Sequence, residues 1–541
     1  MFIKKTRSKN YTYLQLVKSY RDSGKVKHEV IANLGRFDNL SGNPELIKMG
    51  KRLLELAEQP KEEVALEELE RLYYGHIVYK KLWDKFRLSD ILHRISRNNK
   101  ITFDIAQVVM YLAISQLLKP NSKYSSWREQ GRYLDLPPVD LQHIYRSLDV
   151  LAQRKELIEK ELFNQHRNLF NLKVDVVFYD VTTFHFESTD EDILRAFGFS
   201  KAGKFNEVQV VMGMMVDQHG RPIGYELFEG NLFEGKTMLK AIEILKEKYE
   251  IKKVIIVADK GLNRGVNLGI IKEAGYDYIV SSKLKSQTKN IKKEIFNPQD
   301  YKITQVDKKT GEVLFQYKII KDHIVNYQDE NNKEHQIKDN IIVTWSAKRA
   351  NADIKKRLRL IQKATDMIKN NKAISSKKGA KKYIKTQGKE KSIGIDEERI
   401  KNDSIWDGYY GIQFSDPNIS HEVILENYKL LWRIEESFRI LKSTMEVRPI
   451  FHWTPQRIRG HFVLCFIAFL LERNLELILH KKKVENLSVE KIKEALNTLQ
   501  VSKIKLNDQI LLLKGKHNAL ASDILKAMNL KPVKNLSPAK N

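Results

Sequence analysis

The sequence predicts an α/β protein: a mixed-sheet core interrupted by a β-rich insertion, preceded by a β-ribbon and a helical region and followed by helices. Three features of the chain predict this. Strand-like apolar runs alternate with amphipathic helical stretches between about Leu172 and Ser282. That alternation stops between about Lys285 and Asp416, where short strand-like runs follow one another. Apolar residues at three- and four-residue steps dominate from Pro44 to Asn171 and again after Leu430.

The elements follow in order. Residues 1–43 form a β-ribbon, because YTYLQLVKSYR and KVKHEVIANLG alternate around the tight turn Asp22-Ser23-Gly24. Residues 44–171 are helical, broken at Lys119-Pro120-Asn121 and Leu136-Pro137-Pro138. This spacing suits a helical DNA-binding region, and periodicity alone does not separate that from any helical bundle. Residues 172–285 open with the strand VDVVFYDVTTFHF and a hairpin turning at Asp217-Gln218-His219-Gly220. A helix (TMLKAIEILKEKY), the strand VIIVAD, a second helix and the strand YDYIVSS complete this first part of the core. Residues 286–416 are the insertion, with strands YKITQV, EVLFQYKII, HIVNYQ and NIIVTW and the helix ADIKKRLRLIQKATDMIKNN. Its basic run KKGAKKYIKTQGKEK is either a solvated loop or a phosphate contact, and charge alone favours the loop. Residues 417–480 return to the core with a helix, and 481–541 are a helical C-terminal region with a basic tail.

The chain's 541 residues suggest three or four domains. Its 95 Lys and Arg against 68 Asp and Glu give a formal charge of +27, which points to a polyanionic partner, nucleic acid first. Cys465 is the only cysteine, so neither a disulfide framework nor a cysteine metal cluster is expected. MFIKKTRSKNYTYLQ has no apolar signal run, and Phe462 to Leu471 is too short to span a bilayer. No membrane association and a cytoplasmic location are expected, with Phe462 to Leu471 as a buried helix.

Two aspartates belong to apolar strands: Asp180 lies within VVFYDVTTF, and Asp259 ends the strand of VIIVADKGLNRG. Buried carboxylates are costly without a partner or a cation, and Mg²⁺ takes such oxygen ligands while leaving room for water and phosphate. A third acid is found in LLWRIEESFRILK. If the stretch is one helix, a step of roughly 100° per residue places Leu430, Leu431, Ile434, Phe438, Leu441 and Met445 on one apolar face. Tyr428, Glu435, Arg439 and Lys442 then form a stripe along its edge, and Glu436 points toward solvent. Glu435 is therefore the acid placed to lean over a site.

These motifs together resemble the DDE transposases of bacterial insertion sequences, in the branch named after insertion sequence four, from about Val174 to Leu471. YDVTTFHFE is similar to the strand bearing the first catalytic aspartate, here Asp180, and VADKGLNR to the second-aspartate segment, here Asp259. GFSKAGKFNEVQVVMGMMVDQHGRPIGYELFEGN resembles the family's second and third strands. NYKLLWRIEESFRILKS resembles the signature Tyr-x2-Arg-x3-Glu-x6-Lys at Tyr428, Glu435 and Lys442. Leu431 stands at the arginine position, and Arg433 and Arg439 are the nearby cations that can replace it.

The resemblance implies an RNase H-like core in which Asp180, Asp259 and Glu435 are catalytic and bind two Mg²⁺ ions, with Mn²⁺ a possible substitute. It implies hydrolytic nicking at the terminal inverted repeats of a transposon, then attack of the freed 3′-hydroxyl on target DNA. Synapsis of two double-stranded ends implies a homodimer on DNA. Tyr428, Arg439 and Lys442 would grip phosphates, with Arg433, Lys260 and Arg264 as further candidates. In the insertion, Trp345 is followed by Lys348 and Arg349. Relatives stack an aromatic from this region on an extruded base, although a tryptophan packing the insertion's own core is the readier reading. For HWTPQRIRGH the expectation is DNA contact or helix packing. A nuclease without strand transfer, or an inactive DNA-binding descendant, are the alternatives.

Overall fold

The structure is a computed structural model and describes residues 1–8, 10–22, 25–58, 70–97, 101–170, 176–186, 188–198, 206–232, 237–251, 254–329, 331–370, 379–387, 391–444, 452–485, 487–506 and 509–538. Met445, residues 199–205 of the strand motif and parts of the basic run lie outside the described residues. The chain divides into two units. One comprises Met1–Lys173, Val181–Leu232 and Arg433–Asn541, the other Val174–Asp180 and Phe233–Trp432.

In the first unit the N-terminal strands Phe2–Ser8, Tyr11–Asp22 and Lys25–Arg36 form an antiparallel sheet. Leu14, Ala32 and Leu34 at its base pack with Leu40, Met49, Ile504, Leu511 and Leu513. Those last three residues correct the expectation of a purely helical C-terminus. Strands Gln500–Leu506 and Gln509–Lys514 form a hairpin between helices Val489–Asn497 and Ala519–Ala527, and Glu70–Tyr73 and Leu536–Pro538 pair on its edges. The strand signal there is short, and it is stabilised by partners far away in sequence that a local pattern does not reveal.

Helix Pro455–Lys481 has Thr454 as its N-cap, whose hydroxyl accepts from the Arg457 N–H at 3.4 Å, and proline in its first turn. Every residue from Phe462 to Leu471 is buried, as the apolar run predicts. Among the described residues no helix is long and apolar enough to cross a membrane. The long helix packs on helices Leu141–Gln153 and Ile105–Leu118, the latter with 12 of its 14 residues buried.

A buried glutamate on this helix makes stability depend on pH. Burial, reinforced by the nearby Glu476 carboxylate, raises the Glu472 pKa well above the glutamate range, although the Tyr79 hydroxyl donates to it. Above the ordinary glutamate pKa the unfolded chain releases this proton while the folded chain keeps it. Stability therefore falls as pH rises from that value until the folded carboxyl also ionises. Glu472→Gln is expected to flatten this slope in denaturant titrations at pH 5, 6 and 7; an unchanged slope would exclude Glu472 as its source.

The second unit holds a mixed sheet. The start of strand Val176–His185 pairs in parallel with Ile255–Ala258, and that strand in parallel with Asp277–Ser282. Tyr409–Phe414, Glu334–Ser346, Val313–Gln328 and Lys302–Val306 then follow in antiparallel order. These four strands thus extend the core sheet, while Ile384–Gln387 and Lys391–Ile395 of the insertion form a separate two-stranded sheet. EVLFQYKII and HIVNYQ are one strand, bulged between Ile320 and His323, with Asp322 at a φ of 57°. Buried Asp339 ties this extension to the core: it accepts from Tyr278 Oη at 2.6 Å and Gln413 Nε2 at 2.6 Å, and it pairs with His323 Nδ1 at 2.7 Å. A carboxylate this deep is tolerated because every bond compensates its lost hydration.

Candidate active site

Strand Val176–His185 is apolar and buried up to Tyr179, and Asp180 is the first half-buried residue after that run. The parallel register sets Val177 opposite Ile256, Phe178 opposite Val257 and Tyr179 opposite Ala258. Its continuation sets Asp180 opposite Asp259, which is exposed just past the end of its strand. Both aspartates follow directly on that paired run, Asp180 after Tyr179 and Asp259 after Ala258. Like charges so placed favour a shared cation, and two oxygen donors at strand ends suit Mg²⁺.

Tyr428, on helix His421–Lys429, belongs to the same electrostatic neighbourhood. Its hydroxyl bonds that of Tyr410, which in turn bonds Ser281 Oγ at 2.8 Å. Burial, then Tyr410, then the Asp259 carboxylate push the Tyr428 phenol well above the tyrosine range. Tyr428 therefore stays protonated, its hydroxyl shared with that of Tyr410.

Just beyond Asp259 opens a cavity of about 300 Å³ lined by Lys260, Lys285, Arg349, Lys356, Arg357 and Lys382 together with Asp353, Asp403 and Asp407. Six cations against three carboxylates leave it positive by formal count. Asp403 pairs with Lys285 at 2.8 Å and Lys382 at 2.6 Å, and Asp407 with Arg357. Burial opposes ionisation of Asp403, yet the bonds from Lys285 and Lys382 hold its carboxyl well below the usual range. Burial, with Arg264 and Lys260 close by, lowers the Lys283 pKa, a sign of crowded positive charge. The Arg349 guanidinium lies over the Tyr410 ring, 4.1 Å from its centroid. Of these cations the sequence singled out Lys260 and Arg349. Lys285, Lys356, Arg357 and Lys382 were missed because they are scattered through the insertion and converge only when its strands join the core sheet.

The insertion's tryptophan is held by its own unit. Trp345 is half-buried, its Nε1 donates to the Asp407 carbonyl at 3.0 Å, and a Cβ on Gly408 would come within 2.6 Å of that nitrogen. Lys348, Arg349 and Arg264 are exposed.

Glu435 lies in the other unit, on helix Trp432–Arg439, and is exposed. The single helix expected through this signature is broken: His421–Lys429 ends at Leu430, whose N–H bonds both Glu426 and Asn427 carbonyls, and a new helix starts at Trp432. The continuous stripe from Tyr428 to Lys442 is thereby corrected, because Tyr428 belongs to the preceding helix. Buried Leu431 sits at the junction.

Glu436 also differs from expectation. It is 23% exposed and pairs with the buried Arg473 at 2.8 Å. Arg473 pairs with Glu476 at 2.6 Å and donates to the carbonyls of Gly220 at 3.2 Å and Arg433 at 3.4 Å. Gly220, at a φ of 77°, is where the hairpin turn meets this guanidinium; a Cβ there would lie 3.2 Å from it. Glu436 is thus an anchor of the glutamate helix and not a solvated charge.

Of the cations that can replace the signature arginine, Arg433 is half-buried and donates to the His219 carbonyl at 3.3 Å, whereas Arg439 is 69% exposed and 3.5 Å from Glu436. Lys442 sits in the widened π-turn Ile440–Thr444, where its ammonium donates to Thr182 Oγ1 and lies 5.3 Å from the centre of the Phe184 ring. Thr182 follows Asp180 by two residues along the strand. His452 and His461 are both buried, their rings 5.3 Å apart, so both serve packing. Burial lowers the His452 pKa to about 3, with Lys123 and Arg457 contributing.

The structure thus places Asp180, Asp259, Tyr428, Lys260, Arg264, Trp345, Lys348 and Arg349 in one unit, and Arg433, Glu435, Arg439 and Lys442 in the other. Among the described residues no three His, Cys, Asp or Glu side chains are gathered closely enough to hold a metal ion.

Residues 173–471 match the family "Transposase DDE domain", and residues 3–64 match "IS1634 family transposase, N-terminal domain". No curated protein matches the chain. Among solved structures, the piggyBac transposase synaptic complex with hairpin DNA is similar at 9% identity and a TM-score of 0.35, over 85% of this chain and 83% of that one. The Mos1 transposase paired-end complex with left transposon end is similar at 11% identity and a TM-score of 0.15, over 35% of this chain and 56% of that one.

Proposed function

The chain belongs to the DDE-domain transposases, and from that premise we propose that it binds the ends of its own element, cuts them and joins them to target DNA. Asp180, Asp259 and Glu435 are the catalytic carboxylates in this reading. The observation that supports it most is the parallel register that pairs Tyr179 with Ala258, the residues just before Asp180 and Asp259.

The three carboxylates would hold two Mg²⁺ ions, or Mn²⁺ in their place. Such ions supply charge neutralisation and a more acidic nucleophile for in-line phosphoryl transfer. The protein's own task is positioning. Tyr428, kept protonated beside Asp259, donates to a phosphate oxygen. Lys442, next in the glutamate segment, neutralises another. The cations around Lys260 and Arg349 hold the adjoining backbone, with Arg264 and Lys348 at the rim, while Trp345 keeps the insertion's geometry. Arg439 is the better substitute for the missing signature arginine, because Arg433 is committed to the His219 carbonyl.

In the first step a water oxygen bonds to phosphorus, the P–O3′ bond breaks, and the 3′-oxygen leaves as a hydroxyl after taking up a proton. In the second step that 3′-hydroxyl loses its proton and attacks a target phosphodiester, whose own 3′-oxygen leaves. Two ends cut and joined together call for two copies of the chain on DNA.

The deciding experiment incubates the protein with labelled duplexes spanning each flank of its coding sequence, a target plasmid and Mg²⁺. Nicks at one defined position and joined products are expected. Nicks without joining would leave a nuclease, and no cleavage in Mg²⁺ or Mn²⁺ would leave a DNA-binding protein without this chemistry.

A further inference from the structure

We infer that the free tip of the N-terminal β-ribbon, residues 18–22 and 25–30, reads DNA sequence in the major groove; this rests on the DNA-binding reading above. The ribbon has two different halves. At its base Leu14, Ala32 and Leu34 are locked into a core with the C-terminal hairpin. Beyond Val17 every described residue of the paired strands, up to Val30 on the return, is exposed. Among the described residues this half has no strand partner besides its own two strands, which remain in register from Lys18 opposite Glu29 to Asp22 opposite Lys25.

An isolated two-stranded ribbon is marginal in water, so its persistence needs both an anchored base and bonds along its length. The tip has these: Lys27 pairs with Asp22 at 2.5 Å, Ser19 Oγ bonds His28 Nδ1 at 3.0 Å, and the Phe2 ring abuts His28 edge-on. Five residues at about 3.4 Å each extend it roughly 17 Å. A major groove about 12 Å wide and 8.5 Å deep admits such a ribbon.

Charge supports the same occupant. The first 36 residues carry nine Lys and Arg against two carboxylates. The antiparallel register sorts the tip into two faces. Lys18, Tyr20 and Lys27 lie on one, with Glu29 and Asp22; Ser19, Arg21 and His28 lie on the other. Arg21 is suited to the paired acceptors of guanine, and Lys18 and Lys27 to the flanking phosphates. The helical region, by contrast, uses its most apolar helix, Ile105–Leu118, as core, with no solvent face to offer a groove.

The test compares full-length protein with Arg21→Ala and Arg21→Ala/Lys27→Ala, binding 40-bp duplexes from each flank of the coding sequence and shuffled duplexes of equal composition. The expected result is an approximately 10- to 100-fold loss of preference for flank over shuffled duplex, read as the ratio of the two affinities. Preference retained by the double variant overturns the proposal, as does wild-type protein without preference. Sedimentation of the same samples supplies another overturning outcome: preference lost only together with a dimer makes the ribbon an interface between copies. If the wild type prefers the flank duplex but nicks nothing, the catalytic reading fails while this one stands.

Discussion

Asp259→Asn is expected to abolish DNA cleavage in Mg²⁺ while leaving DNA binding and folding intact. Asp259 is exposed just beyond its strand, and asparagine keeps its size and shape. What the substitution removes is a charge beside Asp180. If the pair holds a metal ion, several kcal/mol of transition-state charge stabilisation goes with it, about a thousandfold in rate at 1.36 kcal/mol per decade. Two effects on stability, one without metal and one with it, separate this from a folding defect. Relief of repulsion between the carboxylates, on the order of 1 kcal/mol at about 5 Å in water, should leave the variant's melting temperature equal or higher without metal. Added Mg²⁺ should raise the melting temperature of the wild type but not of the variant, since a ligand stabilises the state it binds. Wild-type nicking rates in Asp259→Asn would remove this residue from the reaction.

The second large effect separates two adjacent glutamates. Arg473→Met should destabilise the first unit by about 3–5 kcal/mol, because it leaves Glu436 and Glu476 facing each other without the cation between them. Glu436→Gln keeps Arg473 paired with Glu476, and with Glu436 partly in solvent the loss should be nearer 1–2 kcal/mol. Glu435→Gln, at an exposed position, should change stability by less than about 0.5 kcal/mol and yet eliminate cleavage. Denaturant midpoints and nicking rates of the three variants test this together. Equal destabilisation by Glu435→Gln and Glu436→Gln would refute the division of roles.

Much of the fold was legible from local pattern. The strand carrying Asp180, the hairpin at Asp217 to Gly220, the strand before Asp259 and the buried run Phe462 to Leu471 all appear where periodicity put them. Each is a short-range signal: a period of two or 3.6 residues, a turn residue, or an uninterrupted apolar stretch. The family signature marked Glu435 and Tyr428 in the same way, by spacing along the chain.

What local pattern did not reveal depends on partners distant in sequence. Nothing near Glu436 announces that Arg473 is its counterion, and helical angle alone turned it to solvent. Nothing in the insertion announces that its strands extend the core sheet, bringing Lys285, Lys356 and Lys382 around one cavity beyond Asp259. The helix break at Leu430 has no proline or glycine to mark it. The sequence by itself therefore determined the elements, the strongly basic character and the carboxylates proposed to bear the family's chemistry. Only the tertiary structure decided strand order, the register that pairs the residues just before Asp180 and Asp259, and which charges are buried. Backbone periodicity is written in neighbouring residues, whereas the desolvation of a charge depends on everything folded around it.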